Sequence, residues 1–421
     1  MASCRRRYNT ASIDIISELP SVIQDKILGF LDTREAARTA ILSRHWKDVW
    51  YSHGRLVFDS SFNRSIRLCG GDPRLDFVNM ITNILLLRSG PVKIFKLVIS
   101  SSYLNLRLQQ QDIDRWCLFL TRNGIEQLHL SVYYSGDIFK VPVSIISCPT
   151  IKKLNLAGFA FNCPVTAGPS SPFSGVTILI FNRVWFSRNK HSPVIPFSIP
   201  KLEVLVLDGC VEMDKFSFSA PKLKTFRVTR SKFATEWKWF ELHLKVIKTL
   251  HLSNEFIMLD AHRPSFPTAL NLEVIKLIHF IYVDKKPFAL LLQLLKKCPK
   301  LSELEILMHD KFHEMHGDSS STSADPGSWL NGEDINMLKK VKVEQFRGLR
   351  YEVLFIKTIL SKSPMLEEVV ILESPEIDAQ TAFRMPREMI KFPRASPKAQ
   401  IIFLETQTPI YNLVGRIPNF W

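Results

Sequence analysis

The feature that most constrains this chain is a short apolar triplet, with the spacing L-x-x-L-x-L, which recurs along most of its 421 residues. The middle residues of successive triplets are mostly 21 to 31 residues apart, with one interval of 37. The second and third residues alternate along a strand and face the same way, so each triplet predicts a short strand with one buried edge. The eleven triplets are Ile94/Leu97/Ile99, Ile125/Leu128/Leu130, Ile151/Leu154/Leu156, Val176/Leu179/Phe181, Leu202/Leu205/Leu207, Leu223/Phe226/Val228, Ile247/Leu250/Leu252, Leu272/Ile275/Leu277, Leu301/Leu304/Ile306, Leu338/Val341/Val343 and Leu366/Val369/Ile371.

This period is typical of leucine-rich repeats, in which stacked units share a core that no single unit can build. Between the triplets, four segments have helical spacing of apolar residues, with an acidic residue or proline near the start and glycine or proline past the end. They are DFVNMITNILLLRSG from Asp76, DIDRWCLFLTRNG from Asp112, PFALLLQLLKKCP from Pro287, and YEVLFIKTILSKSP, which ends at Pro364. The sequence therefore predicts an α/β fold, a solenoid in the form of an arc or horseshoe.

The charge and composition of the chain indicate which classes of partner and which compartment to expect. The net charge is +15, but its densest basic cluster, Cys4 to Tyr8, holds only three arginines, so we do not expect nucleic-acid binding. No run approaches the roughly 18 apolar residues that span a bilayer, and the N-terminus lacks the apolar stretch of a secretory signal. Seven cysteines are scattered without metal-ligand spacing, which favours reduced thiols in the nucleus or cytoplasm.

Motifs that carry catalysis are missing from the sequence. It contains no P-loop, GxSxG, HExxH or EF-hand pattern, so we predict neither an enzyme nor a cofactor. His309, His313 and His316 lie in a segment rich in Ser, Asp and Gly, residues 309–334. We interpret this segment as a flexible surface insertion with solvated histidines, not as a metal site.

The N-terminal stretch LPSVIQDKILGFLDTREAARTAILSRHWKDVW, residues 19–50, differs from the rest of the chain because it is helical in pattern. Asp32 and Glu35 have the spacing of a capping box between a first and a second helix. The second helix carries apolar residues through Trp46 to Trp50. Two helices of this length cannot bury such a stripe by themselves, so it packs on the repeats or binds another protein.

The same stretch resembles the plant F-box, whose usual pattern is LPxxxxxxILxFLxTKxAxRTSxLSxRWxxLW. Arg34, Ala40 and His45 depart mildly from that pattern. A second segment, LKKVKVEQFRGLRYEVLFIKTILSKSPMLEEVVI from Leu338 to Ile371, is similar to the FBD motif. In this order the features resemble the plant F-box/FBD/LRR-repeat proteins. The resemblance implies an F-box at 13–60, leucine-rich repeats at 75–335, and an FBD region with a C-terminal cap at 336–421.

The resemblance also implies a function, that of the substrate receptor in an SCF-type cullin-RING ubiquitin ligase. The F-box would bind a Skp-family adaptor, and through it a cullin, while the repeats would hold a protein substrate. The alternative is a repeat scaffold that binds protein outside any ubiquitin ligase. The adaptor-facing positions that match the motif are Leu19, Pro20, Ile23, Ile27, Leu28, Leu31, Ala36, Ala40, Ser43, Trp46 and Trp50.

A candidate substrate face follows from strand alternation, because the residues that flank the inward pair of each triplet face the other side of the strand. Four of these residues on neighbouring strands are aliphatic where solvent is expected, which indicates a binding surface or a surface covered by the protein itself. The C-terminal segment Thr408 to Trp421 is apolar enough to be such a cover. The predicted substrate-binding residues are Ile178, Ile180, Val204, Val206, Arg227 and His251.

Overall fold

The computed structural model describes residues 15–62, 73–100, 108–133, 138–162, 171–187, 197–213, 217–231, 243–254, 268–280, 285–309 and 335–405. The chain divides into two compact units, residues 1–159 and 160–421. Helices and parallel strands alternate in both units, so the predicted α/β class is confirmed. Within the described residues, no helix has the length and apolarity needed to cross a membrane.

The first unit begins with three short helices and continues with a parallel sheet in the strand order β1-β2-β3-β5. Its helices are α1 (Ser21–Phe30), α2 (Thr33–Thr39), α3 (Arg44–Ser52), α4 (Pro73–Leu86), α5 (Gln110–Arg122) and α6 (Val143–Ile146). Its strands are β1 (Arg55–Phe58), β2 (Ile94–Ser100), β3 (Gln127–Tyr133), β4 (Phe139–Lys140) and β5 (Lys153–Ala157).

The second unit contains a longer parallel sheet in the order β7-β10-β12-β13-β14-β15-β16-β17-β18. Its strands are β6 (Phe159–Asn162, which starts on the last residue of the first unit), β7 (Ile178–Asn182), β8 (Trp185–Ser187), β9 (Phe197–Ser198), β10 (Val204–Asp208), β11 (Phe218–Ser219), β12 (Thr225–Thr229), β13 (Thr249–Ser253), β14 (Val274–Phe280), β15 (Glu303–Met308), β16 (Lys340–Phe346), β17 (Glu368–Glu373) and β18 (Gln400–Leu404). Its helices are α7 (Lys285–Lys296), α8 (Arg350–Lys362) and α9 (Ala379–Met389).

All eleven predicted triplets lie at strands, and the middle residue of each is at most 1% exposed. In the first triplet the register shows an error of two residues. Phe95 pairs with Leu128 and Leu97 with Leu130, so the repeating positions are Val92, Phe95 and Leu97 instead of Ile94, Leu97 and Ile99. Two further strands, β1 and β18, extend the pattern beyond the predicted set.

The N-terminal stretch forms three helices where the pattern predicted two. Asp32 caps α2 as expected, with its Oδ1 accepting the Glu35 N–H at 2.8 Å. The helix nevertheless ends at Thr39, and Ser43 starts α3 by accepting the Trp46 N–H on its Oγ at 3.2 Å. Serine is a preferred N-cap because its hydroxyl satisfies a helix N–H that has no carbonyl partner. The break leaves Ile41 and Leu42 in the turn between α2 and α3.

The four predicted helices after this stretch are confirmed as α4, α5, α7 and α8. The side chain of Asp112 caps α5, since its Oδ2 accepts the backbone N–H of Gln109 at 3.1 Å. Glu352 does the same for α8, accepting the N–H groups of Arg347 and Leu349 at 3.0 and 3.1 Å. Acidic residues at these positions also interact favourably with the positive end of the helix dipole.

Candidate functional site

The inner face of α1–α3 is a small core that the chain completes by itself. Leu28 and Ala36 are almost fully buried, and Trp46 and Trp50 are each 5% exposed. The indole of Trp46 donates to the Ser17 hydroxyl at 3.1 Å, which satisfies its only polar atom. These four predicted adaptor positions therefore present little surface to a partner.

Polar contacts fix α1 against α3. Gln24 is fully buried, and its Nε2 donates to the Ser17 carbonyl at 3.0 Å and lies 2.8 Å from Nε2 of His45. Asp25 Oδ1 lies 2.5 Å from Nδ1 of the buried His53. Burial lowers the pKa of His53, although the hydrogen bond to Asp25 opposes that shift. These contacts hold one orientation of α1.

Large apolar side chains on α1 and on the turn between α2 and α3 are exposed to solvent. Phe30 is 91% exposed, Ile41 84% and Leu42 72%. We refer to Val22, Ile23, Phe30, Ile41 and Leu42 as the exposed apolar set, since all five are exposed. Exposed apolar side chains in such number on a short module are a sign of a protein-interaction surface.

The other predicted adaptor positions differ in how far their side chains are exposed to solvent. Pro20 and Ile23 are exposed, whereas Leu19, Ile27, Leu31 and Ala40 are partly exposed. Ser43 is exposed, but its hydroxyl is occupied as the N-cap of α3. The sites nearest to solvent therefore lie on α1 and on the turn after α2.

Arg88, in the segment between α4 and β2, joins that segment to the end of α3. Its Nη1 donates to the carbonyl oxygens of Trp50 at 2.6 Å and His53 at 3.3 Å, and its guanidinium lies 4.1 Å from the centre of a Trp50 ring. The carbonyl groups at the end of a helix have no partner within the helix, so a partly buried cation satisfies them well. Burial lowers the pKa of Arg88 to about 10, and the side chain stays charged at neutral pH.

Backbone contacts reinforce this junction. The Gly54 carbonyl accepts the N–H groups of Lys93 and Ile94 at 2.8 and 2.9 Å, and β1 then pairs with β2 in parallel. The Thr33 hydroxyl accepts the Val57 N–H at 2.8 Å, which ties α2 to β1. The three helices and the first strands are thus packed as one body.

The predicted substrate face lies in the second unit, where the register places its residues side by side. Ile178 pairs with Val204, Ile180 with Val206, and Arg227 with His251. Ile180 and Val206 are 4% and 5% exposed, whereas Ile178 and Val204 are partly exposed. The aliphatic patch is therefore less open than alternation predicted, because half of it is buried. The C-terminal segment 408–421, the predicted cover, lies outside the described residues.

Next to the aliphatic patch, charged residues lie on the neighbouring strands of the sheet. We call Arg227, His251, Lys276, Glu305 and Lys342 the charged row, since each is the register partner of the next. Lys276 and Glu305 form an ion pair at 2.6 Å, and Lys342 pairs with Glu344 at 2.7 Å. Burial, followed by the charges of Arg227 and Lys276, lowers the pKa of His251 to about 3.

No metal site emerges from the described part of the chain, where no group of three or more His, Cys, Asp or Glu side chains could hold an ion. His309 is described, whereas His313 and His316, and most of the predicted insertion 309–334, lie outside the described residues. Among the described cysteines, Cys210 and Cys298 are buried, and burial raises the pKa of each thiol to about 12.

The N-terminal helices are similar to a domain that is known from other proteins. Residues 16–58 match the F-box domain. We refer to this segment as the F-box. It begins just before α1 and ends at the last residue of β1, so the match includes the junction with the sheet.

Relatives of this chain carry names that agree with the predicted resemblance. An F-box/FBD/LRR-repeat protein of Arabidopsis thaliana is 29% identical, over 94% of this chain and 99% of the relative. A putative F-box/LRR-repeat protein of the same plant is 21% identical, over 91% of this chain and 79% of the relative. A putative FBD-associated F-box protein, also from Arabidopsis, is 26% identical over 58% of this chain and 54% of the relative. The predicted resemblance to F-box/FBD/LRR-repeat proteins is confirmed.

Sequence reasoning missed four members of the exposed apolar set of the F-box as surface positions, namely Val22, Phe30, Ile41 and Leu42. For Ile41 and Leu42 a signal was available. Ser43 followed by Trp46 has N-cap spacing, which places both residues in a turn instead of on a buried helical stripe.

Proposed function

We propose that this chain is the substrate-recognition subunit of an SCF-type cullin-RING ubiquitin ligase. F-box/LRR-repeat proteins are generally adaptors instead of enzymes, and the F-box of this chain supports that class of role. In this proposal the F-box binds a Skp-family adaptor, the adaptor links it to a cullin, and the repeats bind a protein substrate. The chain supplies no catalytic group and raises the effective concentration of substrate lysines near the transferring enzyme.

The observation that carries the adaptor part of the proposal is the exposed apolar set. The F-box buries its tryptophans internally and still leaves Phe30, Ile41 and Leu42 in solvent. Interfaces bury a central apolar cluster at which a few side chains contribute most of the binding energy. We therefore assign the adaptor interface to this set together with Leu19, Pro20 and Ile27, and assign Leu28, Ala36, Trp46 and Trp50 to internal support.

The architecture proposed for the rest of the chain is a leucine-rich-repeat solenoid with an FBD region near Leu338–Ile371. Parallel strands in matched register, each with a buried middle residue, support the repeats in both units. In the FBD segment, Gly348 has φ of +75° and a side chain there would meet Met385 of α9. We propose the bounds 13–60 for the F-box, 75–335 for the leucine-rich repeats, and 336–421 for the FBD region with the C-terminal cap. We also propose that the protein is located in the nucleus or the cytoplasm.

The substrate part of the proposal places binding on the second-unit sheet face. Ile178 and Val204 are partly exposed there, and the charged row begins next to the buried Val206. This combination of apolar and charged side chains suits a protein segment, which offers both kinds of group.

Co-purification tests the proposal. The full chain should capture a Skp-family adaptor from plant extract, and the Leu19→Ala/Pro20→Ala variant should lose most of that capture. Undiminished capture by the double variant would contradict the assigned interface. If the intact chain captures no adaptor, the alternative of a repeat scaffold outside any ubiquitin ligase replaces this proposal.

A comparison of substrates completes the test. Proteins bound to the repeats should accumulate when the F-box is deleted and should be degraded when it is intact, under otherwise equal conditions. Mass spectrometry of co-purified proteins, with and without proteasome inhibition, measures that difference. Equal levels in all conditions would separate substrate binding from degradation and favour the scaffold.

A further inference from the structure

The turns that lead into the strands of the second unit carry lysines at one edge of its sheet. In the turn before β10 the Leu202 N–H donates to the Ile199 carbonyl at 3.2 Å, and Pro200 occupies a position at which proline favours a turn. The turns before β12 and β15 repeat that hydrogen bond and that proline. In all three turns the residue after the proline is an exposed lysine, namely Lys201, Lys222 and Lys300.

Backbone hydrogen bonds between successive turns hold them in line. The Lys224 N–H donates to the Glu203 carbonyl at 2.9 Å, and the Lys248 N–H donates to the Lys224 carbonyl at 2.8 Å. The Glu273 N–H continues the series by donating to the Lys248 carbonyl at 2.8 Å. Neighbouring strands are about 4.8 Å apart, so the five turns before β10, β12, β13, β14 and β15 extend over about 19 Å.

The lysines of these turns leave an excess of positive charge. We call the exposed residues Lys201, Lys222, Lys245 and Lys300 the basic edge. Lys300 donates its Nζ to the amide oxygen of Asn271 at 2.8 Å, and this neutral partner leaves its charge in place. The acidic residues of the turns are already engaged, Glu203 with Lys224 at 3.0 Å and Glu273 with Lys248 at 2.8 Å. Within the described residues, no lysine of the basic edge forms an ion pair.

The spacing of the basic edge suits a partner with several negative charges. Lysine carries a point charge on a flexible stem, so it can follow anionic groups whose positions vary. Successive turns are about 4.8 Å apart, which is shorter than the Debye length of about 8 Å at physiological salt. The fields of neighbouring lysines therefore add, and the edge attracts a polyanion more strongly than a single anion.

Two features of the edge favour an acidic protein segment over a nucleic acid. Glu203 and Glu273 lie among the lysines, where they would repel phosphates that follow one another about every 1.7 Å along a duplex. The carboxylates of a peptide can be separated by uncharged residues. The five described turns also offer no exposed arginine for bidentate contact with phosphate and no exposed aromatic side chain for base stacking.

We propose that the basic edge docks an acidic segment of the protein substrate. The proposal rests on the proposed function of the second-unit sheet face as the substrate-binding surface, because Val204 of that face follows Lys201 by three residues. An extended chain advances about 3.3 Å per residue, so about six residues of the segment span the edge. Alternate side chains of such a segment face the same way, which brings about three carboxylates to the four lysines.

Fluorescence anisotropy with the full chain tests this inference. The probe is a labelled peptide of about eight residues with Glu at every second position and Ser between. We expect binding at about 50 mM salt that weakens at least about tenfold at about 500 mM salt. The variant Lys201→Gln/Lys222→Gln/Lys245→Gln should bind the peptide at least about tenfold more weakly than the intact chain at low salt. Equal binding by the variant would overturn the proposal.

The matched control is Arg122→Gln/Lys357→Gln/Lys391→Gln, which removes equal charge at exposed side chains away from the edge and should bind the peptide normally. An equal loss in this control would show attraction by net charge alone and would overturn the proposal. Tighter binding of an oligothymidylate or of phosphatidylserine vesicles than of the peptide, at the same salt, would also overturn it. Thermal melting checks that both variants are folded.

Adaptor capture separates this inference from the proposed function. The lysine variant should capture the adaptor as the intact chain does, because the F-box is unchanged. If the intact chain captures the adaptor but does not bind the acidic peptide, the inference about the basic edge is wrong and the proposed function stands. If the intact chain captures no adaptor, the proposed function is wrong whatever the peptide result.

Discussion

The F-box and the second-unit sheet face use apolar side chains in opposite ways. On the F-box, Phe30, Ile41 and Leu42 are among the most exposed apolar side chains of the described residues. On the sheet face, the aliphatic residues Ile180 and Val206 are almost fully buried, and charged residues occupy the adjoining strands. Both regions were predicted as binding surfaces, yet only the first presents a large apolar area.

This difference follows from how each region is built. Three short helices bury Trp46 and Trp50 but leave Phe30, Ile41 and Leu42 in solvent. Neighbouring parallel strands of the sheet bury their middle residues against one another within the chain. The exposed side of the F-box is thus apolar, whereas partly exposed side chains on the sheet face, such as Lys276 and Glu305, are charged.

The largest expected effect comes from the buried side of the F-box. Trp46→Ala should destabilise the F-box by about 3–5 kcal/mol, because it leaves a cavity and removes the bond to Ser17. Phe30→Ala, on the exposed side, should change stability by no more than about 0.5 kcal/mol. Hydrogen exchange of residues 21–52 measures both. Equal losses of stability in Trp46→Ala and Phe30→Ala would contradict the distinction between a buried and an exposed side of the F-box.

The junction between F-box and sheet should show the next largest effect. Arg88→Gln loses the charged hydrogen bonds to Trp50 and His53, and we expect a loss of about 1–3 kcal/mol in local stability at the end of α3. Exchange at residues 50–58 reports it. The exposed Arg122, changed to Gln, is the matched control and should have no such effect. Unchanged exchange in Arg88→Gln would mean that the backbone contacts alone hold the junction.

Acidification tests the electrostatics of the sheet face. The pKa of His251 is lowered to about 3 from an ordinary 6.5, so the unfolded chain binds a proton below about pH 6.5 that the folded chain does not. The contribution of the neutral His251 to the free energy of unfolding is therefore complete above about pH 6.5 and is lost as the pH falls below that value. His251→Gln should reduce the loss of unfolding free energy between pH 7 and 5 by up to about 2 kcal/mol.

Comparison with His251→Gln is needed because other groups titrate in the same range. Burial raises the pKa of Glu352 to about 7, which acts in the opposite direction, and this contribution is common to both proteins. Urea unfolding at the two pH values gives the difference. Identical pH dependence in both proteins would show that the imidazole of His251 is solvated and not held neutral by its neighbours.

The smallest effect is expected at the ion pair of the charged row. Lys276→Gln breaks the 2.6 Å contact with Glu305, but both side chains are 35% exposed, so solvent screens the pair. We expect a loss of at most about 1 kcal/mol in unfolding free energy. A larger loss would indicate that the row stabilises the fold, and would weaken its interpretation as a recognition surface.

The sequence predicted the strands well because the middle residue of each triplet must be buried for the units to stack. It missed β1, since His53 occupies the first position of the series His53, Leu56 and Phe58, where an apolar residue was required. His53 is tolerated there because Asp25 satisfies its ring nitrogen. It also missed β18, where Lys398 stands at that first position.

The site was harder to predict than the strands. Alternation correctly placed Ile180 and Val206 on the same side as Arg227, but their burial depends on the atoms packed around them, which spacing does not report. The adaptor positions came from a resemblance, which identifies a motif but does not separate its supporting residues from its contacts. Exposure of Phe30 and burial of Trp46 make that separation.

The central claim is that the exposed apolar set of the F-box binds the adaptor. Ile41→Asp/Leu42→Asp should abolish capture of a Skp-family adaptor by the full chain, with the melting temperature unchanged, since both side chains are in solvent. Val143→Asp, at a residue that is 77% exposed outside the F-box, is the matched control and should capture the adaptor normally. Full adaptor capture by the folded double variant would contradict the claim.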